Sequence, residues 1–380
     1  MTLTKKIVTF LLILLFLCTC SAGVYGFGIV SSITSGQMDE AELSINSLLD
    51  ESSVNIALFG IDGREGLDSD RSDTIMIVSA NFETGEIKVV SVLRDLLAQI
   101  PEGENNGRYL EKINAAYSIG GVELAVKALN ENFDLNIQDY IIVDFSCMVH
   151  AVNALGGVEI NIQSEEILEE TNKWIWEGFT ITGVYDDPIT DIGLQNLSGV
   201  QALSYCRNRA VGSDFGRAER QREVFTVLAK KAMDMDLMTA ISLLGQIYPY
   251  VTTSLSLPEI TTYLQTFLGL ENKTIQTAQL PFDEVFTTGM IGNISYVEPA
   301  DMEDNVKILH GLLYGEENYQ ASDTVLDINS RIVNYSGVGS WVDWSTETYH
   351  YYLKTPEEKE AEENAAEAEN QDLSTDSVTN

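Results

Sequence analysis

An uncharged stretch near the amino terminus, residues 7–30, constrains the fold of this chain more than any other feature. About twenty apolar residues are enough to cross a bilayer as one helix. Lys5 and Lys6 precede the stretch, which predicts a cytoplasmic amino terminus with the rest of the chain outside the cell. A cleaved signal peptide is the alternative, because residues 21–23 are small. We expect an uncleaved single-pass anchor in the cell membrane, since the stretch is longer than a usual signal core.

The net charge is the second constraint. The 380 residues include 22 Lys and Arg against 58 Asp and Glu, a formal charge of −36. Duplex binding rests on a basic surface, so this charge disfavours nucleic acid as a partner. Residues 355–380 contain nine acidic residues, one lysine and no aromatic residue. Such a segment cannot bury enough surface to offset chain entropy, which predicts a disordered acidic tail.

The region between the anchor and the tail alternates two apolar patterns. Runs rich in β-branched residues predict strands at 54–59, 73–81, 87–93, 140–145 and 158–162. Apolar residues three and four apart predict helices at 122–132, 147–155, 215–247 and 258–268. The alternation predicts an α/β fold with a central mixed β-sheet between layers of helices, preceded by one transmembrane helix. Residues 165–193 carry Gly, Asp and Pro punctuation, which predicts an irregular insertion.

The cysteines and histidines disfavour two classes of enzyme. Cys147 and Cys206 have no metal-ligand spacing, and we interpret them as buried thiols, with one disulfide between them as the alternative. The three histidines are scattered, and no G-x-S-x-G nucleophile motif is present. Histidine-based acyl transfer and zinc hydrolysis are therefore disfavoured.

Five of the ten arginines lie close together near residue 215. A strand there would place Arg207 and Arg209, two residues apart, on one face. Arg217 and Gln221 share a face of the helix predicted to follow. Guanidinium groups match phosphate oxygens bidentately, so convergence of these donors predicts a site for a phosphorylated ligand. A surface network of salt bridges is the alternative.

Three further arginines lie beside aspartates at the ends of predicted strands. They form the sequence pairs Asp62 with Arg64, Arg71 with Asp73, and Arg94 with Asp95. Strand ends collect ligand sites in α/β folds. Mg²⁺ takes one or two carboxylates plus phosphate oxygens, so the pairs predict a divalent cation beside the phosphorylated ligand. Helix capping and turn formation by the aspartates are the alternative.

Six blocks occur in order between residues 55 and 224: NIALFGIDGR, RSDTIMIVSAN, VLRDLLAQIP, KINAAYSIGG, DYIIVDFSCMVHAVNALGGVEI and LSGVQALSYCRNRAVGSDFGRAERQREV. Together they resemble the LytR-CpsA-Psr family of cell-envelope proteins. The resemblance implies an extracytoplasmic phosphotransferase that moves a glycopolymer, such as wall teichoic acid or capsular polysaccharide, from a polyprenyl-pyrophosphate carrier to peptidoglycan. The products would be a phosphodiester, typically on the muramoyl 6-hydroxyl, and polyprenyl phosphate.

The resemblance also implies roles for individual residues. Asp62 and Asp73 would hold Mg²⁺, with Mn²⁺ as the alternative. The pyrophosphate would contact Arg71, Arg94, Arg207, Arg209, Arg217 and Gln221. The catalytic set would be Arg94, Arg207, Arg209 and Asp214, with Asp214 acting as a base or as an orienting group for the arginines. Second in rank are Asp95, Lys112 and Asn114. The lipid tail would lie in an apolar groove between the sheet and the helices.

The patterns and the resemblance together give the domain organisation. In chain order we predict a cytoplasmic stub at 1–6, the anchor at 7–30, a linker at 31–53, the catalytic core at 54–250, a helical continuation at 251–320, a carboxy-terminal extension at 321–354 and the tail at 355–380. Leu93 departs from the family, where proline is common, which predicts a relaxed loop after that strand.

Other functions stay open at this point. The main alternative is a non-catalytic envelope protein that binds polyprenyl phosphate or glycopolymer and acts in regulation. A transcriptional role is disfavoured by the predicted orientation and by the missing basic surface. A pyrophosphatase that uses water as its acceptor is the remaining alternative.

Overall fold

The computed structural model describes residues 38–49, 53–61, 72–101, 108–209, 211–270, 273–283, 285–315 and 319–340. The strands in these ranges are β1 (Ser53–Gly60), β2 (Thr74–Asn81), β3 (Glu86–Val92), β4 (Leu97–Ile100), β5 (Tyr109–Lys112), β6 (Asp139–Val143), β7 (Val158–Ile162), β8 (Gly193–Leu197), β9 (Thr252–Thr253), β10 (Thr274–Leu280), β11 (Phe286–Ile291) and β12 (Ile294–Pro299). The α-helices are α1 (Ala115–Phe133), α2 (Phe145–Ala154), α3 (Glu165–Thr182), α4 (Gly199–Arg207), α5 (Ser213–Met233), α6 (Leu237–Ile247), α7 (Leu257–Leu268), α8 (Met302–Tyr314) and α9 (Asp323–Ser336).

A six-stranded sheet with the order β10-β3-β2-β1-β6-β9 forms the centre of the fold. Strand β1 pairs antiparallel with β2 and parallel with β6. Strand β3 pairs antiparallel with β2 and parallel with β10. The predicted mixed sheet is therefore confirmed. Three two-stranded pairs lie outside it, formed by β4 with β5, β7 with β8, and β11 with β12.

Helices cover both faces of this sheet. Alternate residues of β1 point to opposite faces, with Ile56 and Leu58 in one apolar core and Ala57 and Phe59 in the other. The first core is completed by α2, α4, α5, α6 and α7, and the second by α1, α8 and α9. Burying each large apolar side chain contributes roughly 1.5–3 kcal/mol. The predicted helix–sheet–helix layers are confirmed.

The prediction of an irregular insertion at residues 165–193 is wrong for the first part of this segment, which forms helix α3. Ser164 caps the helix by accepting a hydrogen bond from the Ile167 amide, and Gly183 ends it with φ 71°. Ile167 and Ile175 are buried on one side. Most of the Gly, Asp and Pro residues that predicted a loop follow the helix.

The strand predicted at Arg207 and Arg209 is also wrong. Helix α4 begins with a capping box between Ser198 and Gln201 and continues to Arg207, and Arg209 lies in the loop before α5. Val200 and Leu203 of this helix are buried, so apolar spacing outweighs the two-residue spacing of the arginines.

The prediction of a helical continuation at residues 251–320 is only partly correct, because this segment also contains strands. It contains β10, which extends the central sheet beside β3, and the hairpin of β11 and β12. Beyond it, helix α9 buries Val325, Ile328 and Ile332 in the second core. Hydrogen bonding at the edge of β3 thus outweighs the weak helical pattern of this region.

Several predictions fall outside the described residues. These are the anchor at 7–30, the tail at 355–380, and the site residues Asp62, Arg64 and Arg71. Over residues 38–340, leaving aside the gaps given above, the helices lack the length and apolar character needed to span a bilayer.

The two cysteines of the described part of the chain are free thiols. Cys147 and Cys206 are both buried, and burial raises the pKa of each thiol. The interpretation as buried thiols is therefore confirmed over a disulfide.

His310 of α8 is buried in the second core. Its Nε2 lies 2.9 Å from the carbonyl oxygen of Phe133, and its ring stacks on Tyr319 with centroids 3.6 Å apart. Burial lowers the pKa of His310 to about 4, although the Phe133 hydrogen bond and the charge of Asp134 oppose this shift. The folded protein therefore keeps this imidazole neutral at a pH where the unfolded chain protonates it.

This difference predicts a loss of stability in mild acid. Between about pH 6.5 and pH 4 the unfolded chain binds more protons at His310, so the free energy of unfolding falls as the pH falls. From about pH 7.5 to about pH 5, we expect the wild type to lose about 2 kcal/mol more than His310→Gln. Urea unfolding at both pH values measures this, with His150→Gln as the control. Equal losses in wild type and His310→Gln would contradict it.

Candidate active site

Charged side chains meet at one edge of the central sheet, beneath the amino terminus of α5. Asp73 directly precedes β2, and Arg94 follows β3. Arg209 lies in the loop before α5, and Asp214 and Arg217 occupy its first turns. We call these five residues the arginine–aspartate cluster. The structure thus brings these five predicted site residues together, although Arg209 lies in a loop and not on the predicted strand.

Asp214 joins the arginines of the cluster. Its Oδ1 lies 3.3 Å from Arg94 Nη2, 3.3 Å from Arg209 Nε and 3.2 Å from Arg217 Nη2. Asp73 accepts a hydrogen bond from Arg94 and lies 3.9 Å from Arg217 Nη1. Contact with three guanidinium groups favours an orienting role for Asp214 over that of a base.

Burial and charge act differently on two of these arginines. Burial, together with the neighbouring Arg94 and Arg209, lowers the pKa of Arg217 to about 10. Burial also lowers the pKa of Arg94, but the charges of Asp73 and Asp214 outweigh it and raise the pKa above the ordinary value. Both side chains stay charged at neutral pH, so the cluster offers positive charge at a partly desolvated surface.

Arg207 lies outside this cluster. Its Nη2 donates a hydrogen bond of 2.9 Å to Glu177 of α3, and its guanidinium lies 5.0 Å from the Phe145 ring centroid and 4.5 Å from that of Trp174. Its Nη1 is buried and has no hydrogen-bond partner within the described ranges. The side chain is therefore held in place with donor capacity left for a ligand. Sequence reasoning does not identify Glu177 and Trp174, because the Gly, Asp and Pro residues of their segment predict an irregular insertion.

A cavity with a volume of about 330 Å³ lies on one side of the arginine–aspartate cluster. We call it the apolar cavity. It lies between the sheet and helices α2, α4 and α5, in the position predicted for a lipid groove. Its apolar wall includes Leu58, Met76, Met148, Leu203, Phe225 and Leu228. Arg207 and Arg209 also line it.

A second cavity, with a volume of about 270 Å³, lies on the other side of the arginine–aspartate cluster. We call it the polar cavity. Its wall includes Ser91, Asp95, Asp214, Thr288, Ser295 and Tyr296. The two cavities have four lining residues in common, Asp73, Thr74, Arg217 and Gln221, which we call the shared wall. Arg94 lines the polar cavity.

The remaining predicted residues support these walls. Gln221 Nε2 lies 3.4 Å from the Cys206 carbonyl oxygen. Lys112 Nζ lies 3.0 Å from Asp95 Oδ2. Among the residues that the structure describes, the buried side-chain oxygen of Asn114 has no hydrogen-bond partner. Leu93 donates its amide to the Leu280 carbonyl at 2.9 Å, a bond that proline could not make, so the loop is tied rather than relaxed.

Only one of the two predicted metal ligands, Asp73, lies within the described residues. Asp73 offers a carboxylate that is 41% exposed and lines both cavities, and such a hard oxygen donor suits Mg²⁺. Its predicted partner Asp62 lies outside the described residues. In the ranges that the structure describes, no three His, Cys, Asp or Glu side chains are grouped to hold a metal ion.

A layered α/β protein with arginines between an apolar and a polar cavity is suited to bind an anionic group that carries an apolar tail. The model of the LytR_cpsA_psr family matches residues 27–309, and the chain belongs to this family.

Curated relatives carry two kinds of name. The chain is 33% identical over 243 residues to "Polyisoprenyl-teichoic acid--peptidoglycan teichoic acid transferase TagU" of Oceanobacillus iheyensis, covering 61% of this chain and 69% of the relative. It is 26% identical to the TagT transferase of Bacillus subtilis, covering 62% and 72%. It is also 32% identical over 206 residues to "Regulatory protein MsrR" of Staphylococcus aureus, covering 53% and 56%.

Solved structures have the same fold. "TagT bound to LI-WTA" matches with a TM-score of 0.53 at 22% identity, covering 78% of this chain and 97% of that chain. The family protein YwtF (TagT) "with bound octaprenyl pyrophosphate lipid" matches with a TM-score of 0.50 at 21% identity, with the same two coverages. At this identity the likeness concerns the fold.

Proposed function

We propose that the protein is an extracytoplasmic phosphotransferase that moves a glycopolymer from a polyprenyl-pyrophosphate carrier to peptidoglycan. The observation that carries the proposal is that Asp73, Arg209 and Arg217 of the arginine–aspartate cluster line the apolar cavity. A pyrophosphate at Arg94, Arg209 and Arg217 would leave its polyprenyl tail in that cavity. Relatives named as teichoic acid transferases support the same reaction.

The reaction needs little covalent work from the protein. An acceptor hydroxyl oxygen attacks the phosphorus that carries the glycan, and the bond between this phosphorus and the bridging oxygen breaks. The glycan becomes a phosphodiester, and the hydroxyl proton ends on the released polyprenyl phosphate. Arg94, Arg207 and Arg209 stabilise the charge that develops on the leaving phosphate, while Asp214 holds the guanidinium groups in position.

We propose Mg²⁺, with Mn²⁺ as the alternative, as the metal of this site. Asp73 together with Asp62 would hold the ion, which when bound neutralises charge on the phosphate oxygens. Asp73 also accepts a hydrogen bond from Arg94. It therefore positions this guanidinium for the same phosphate.

We also propose that residues 7–30 anchor the protein as a single transmembrane helix, with the amino terminus in the cytoplasm and the catalytic domain outside. Support comes from the uncharged sequence and from the preceding lysines. This placement brings the apolar cavity to the side of the membrane where a lipid-linked glycan meets the wall.

Filling the apolar cavity would test its role. Ala151 of α2 is buried and lines the cavity, so we expect Ala151→Phe to weaken octaprenyl pyrophosphate binding by roughly tenfold or more, about 1.4 kcal/mol. Binding is measured by titration of the purified protein. Ala154→Phe, on the same helix but outside the cavity, is the control. Equal affinity in Ala151→Phe and wild type would contradict the assignment.

The direct experiment supplies a defined lipid-linked glycan and peptidoglycan to the full-length protein. Transfer of the glycan, with release of polyprenyl phosphate, supports the phosphotransferase. Binding of the lipid without release supports the alternative, a non-catalytic regulator, which the name of the relative MsrR favours. Release into water without an acceptor supports a pyrophosphatase.

A further inference from the structure

We propose that the polar cavity is the acceptor subsite, through which the hydroxyl-bearing sugar of peptidoglycan reaches the phosphorus. The inference rests on the proposed function and deepens it, because it assigns the acceptor to residues of this chain. The hairpin of β11 and β12 would be the part of the protein that recognises the acceptor.

The first support is the placement of the two cavities. Both lie beneath α5, and they meet at the shared wall. The apolar cavity extends towards β1 and β6, whereas the polar cavity extends towards β3 and the hairpin. The cavities are therefore on opposite sides of β2, with Asp73 and Arg217 between them.

The second support is the geometry of phosphoryl transfer. The attacking and leaving oxygens lie roughly in line on opposite sides of the phosphorus. The leaving oxygen belongs to the lipid phosphate, whose tail occupies the apolar cavity. With the phosphorus at the shared wall, the attacking hydroxyl must come from the side of the polar cavity.

The third support is the chemistry of the wall. Thr288 and Ser295 present hydroxyl groups from the two strands of the hairpin, and both are exposed. The Ser91 hydroxyl lines the same cavity, is 3% exposed, and has no hydrogen-bond partner among the residues that the structure describes. Hydroxyl groups and carboxylates such as Asp95 are suitable partners for sugar hydroxyls.

The hairpin is fixed to the loop after β3, which carries Arg94. The Val297 amide donates a hydrogen bond of 2.9 Å to the carbonyl oxygen of Asp95, next to Arg94. Phe286 of β11 stacks on Phe215 of α5 with centroids 5.3 Å apart. The cavity wall is thus held against both elements that carry the arginines, so an acceptor on the hairpin has a defined position relative to the phosphate.

A bulky residue on the hairpin tests the inference. We expect Ser295→Trp to lower glycan transfer to peptidoglycan by about tenfold or more, through a higher KM for the acceptor. Binding of octaprenyl pyrophosphate should stay within about twofold of wild type, because the lipid occupies the other cavity. Thr288→Trp, on the facing strand, should act in the same way.

Ile294→Trp is the matched control, because it adds the same bulk to an exposed neighbour that does not line the cavity. Unchanged transfer in both Ser295→Trp and Thr288→Trp would overturn the inference, as would an equal loss of lipid binding and transfer. A wild-type protein that binds the lipid but never transfers glycan would instead overturn the proposed function.

Discussion

Replacing Arg94 with alanine should reduce glycan transfer roughly 100- to 1,000-fold, which corresponds to about 3–4 kcal/mol of transition-state stabilisation. Arg94 contacts both Asp73 and Asp214, and it is the arginine that the loop after β3 contributes to the cluster. In the proposed reaction, its guanidinium stabilises the charge that develops on the leaving phosphate. Loss of this positive charge affects the transition state more than the bound ground state, so kcat should fall more than KM rises.

The measurement compares initial rates of transfer for wild type and Arg94→Ala with the same lipid-linked glycan. Arg108→Ala is the control, because Arg108 is half exposed and lines neither cavity. An unchanged melting temperature shows that the fold is intact, since ion pairs with exposed carboxylates such as Asp73 and Asp214 contribute little to stability. Transfer by Arg94→Ala at the wild-type rate would contradict the role of the cluster.

Replacing Arg207 with alanine should reduce transfer by roughly 100-fold and should also weaken binding of the lipid pyrophosphate. Arg207 lines the apolar cavity, so in the proposed complex it would contact the phosphate nearer to the lipid. The stacking of its guanidinium on Phe145 and Trp174 requires a planar group. We therefore expect Arg207→Lys to recover only part of the activity.

Glu177→Gln tests how much the positioning of Arg207 matters, because the variant keeps the positive charge of Arg207 but removes the carboxylate that holds it. Glu177 lines neither cavity but bonds the Arg207 guanidinium, so it acts as a positioning residue. The variant should weaken lipid pyrophosphate binding less than Arg207→Ala does. Wild-type binding and transfer by Arg207→Ala would contradict the proposed pyrophosphate site.

The arrangement of the cluster explains how an acidic protein can bind an anionic ligand. The net charge of −36 belongs to the whole chain. Within the arginine–aspartate cluster, three guanidinium groups contact the carboxylate of Asp214, and two of them also contact that of Asp73. One headgroup of a lipid pyrophosphate needs only this local excess of positive charge, while the acidic surface disfavours nucleic acid.

Sequence patterns were reliable where one physical cause dominates. Runs rich in β-branched residues placed β1, β2, β3 and β6 within one or two residues, because such residues are favoured in strands that a central sheet buries. Predictions failed where the structure of a segment depends on contacts with other parts of the chain. Helix α3 was missed because the punctuation after it outweighed its apolar positions, and β10 because a strand at a sheet edge depends on a partner distant in the sequence.

The sequence by itself determined the type of fold and the family, and it singled out residues that the structure brings together at one site. Arg94, Arg209, Asp214 and Arg217 could be singled out because residue chemistry and local spacing are properties of the chain. Tertiary structure alone decided that Arg207 pairs with Glu177 of α3 and that two different cavities meet at Asp73 and Arg217. These relations depend on packing between segments far apart in the sequence, which local periodicity does not encode.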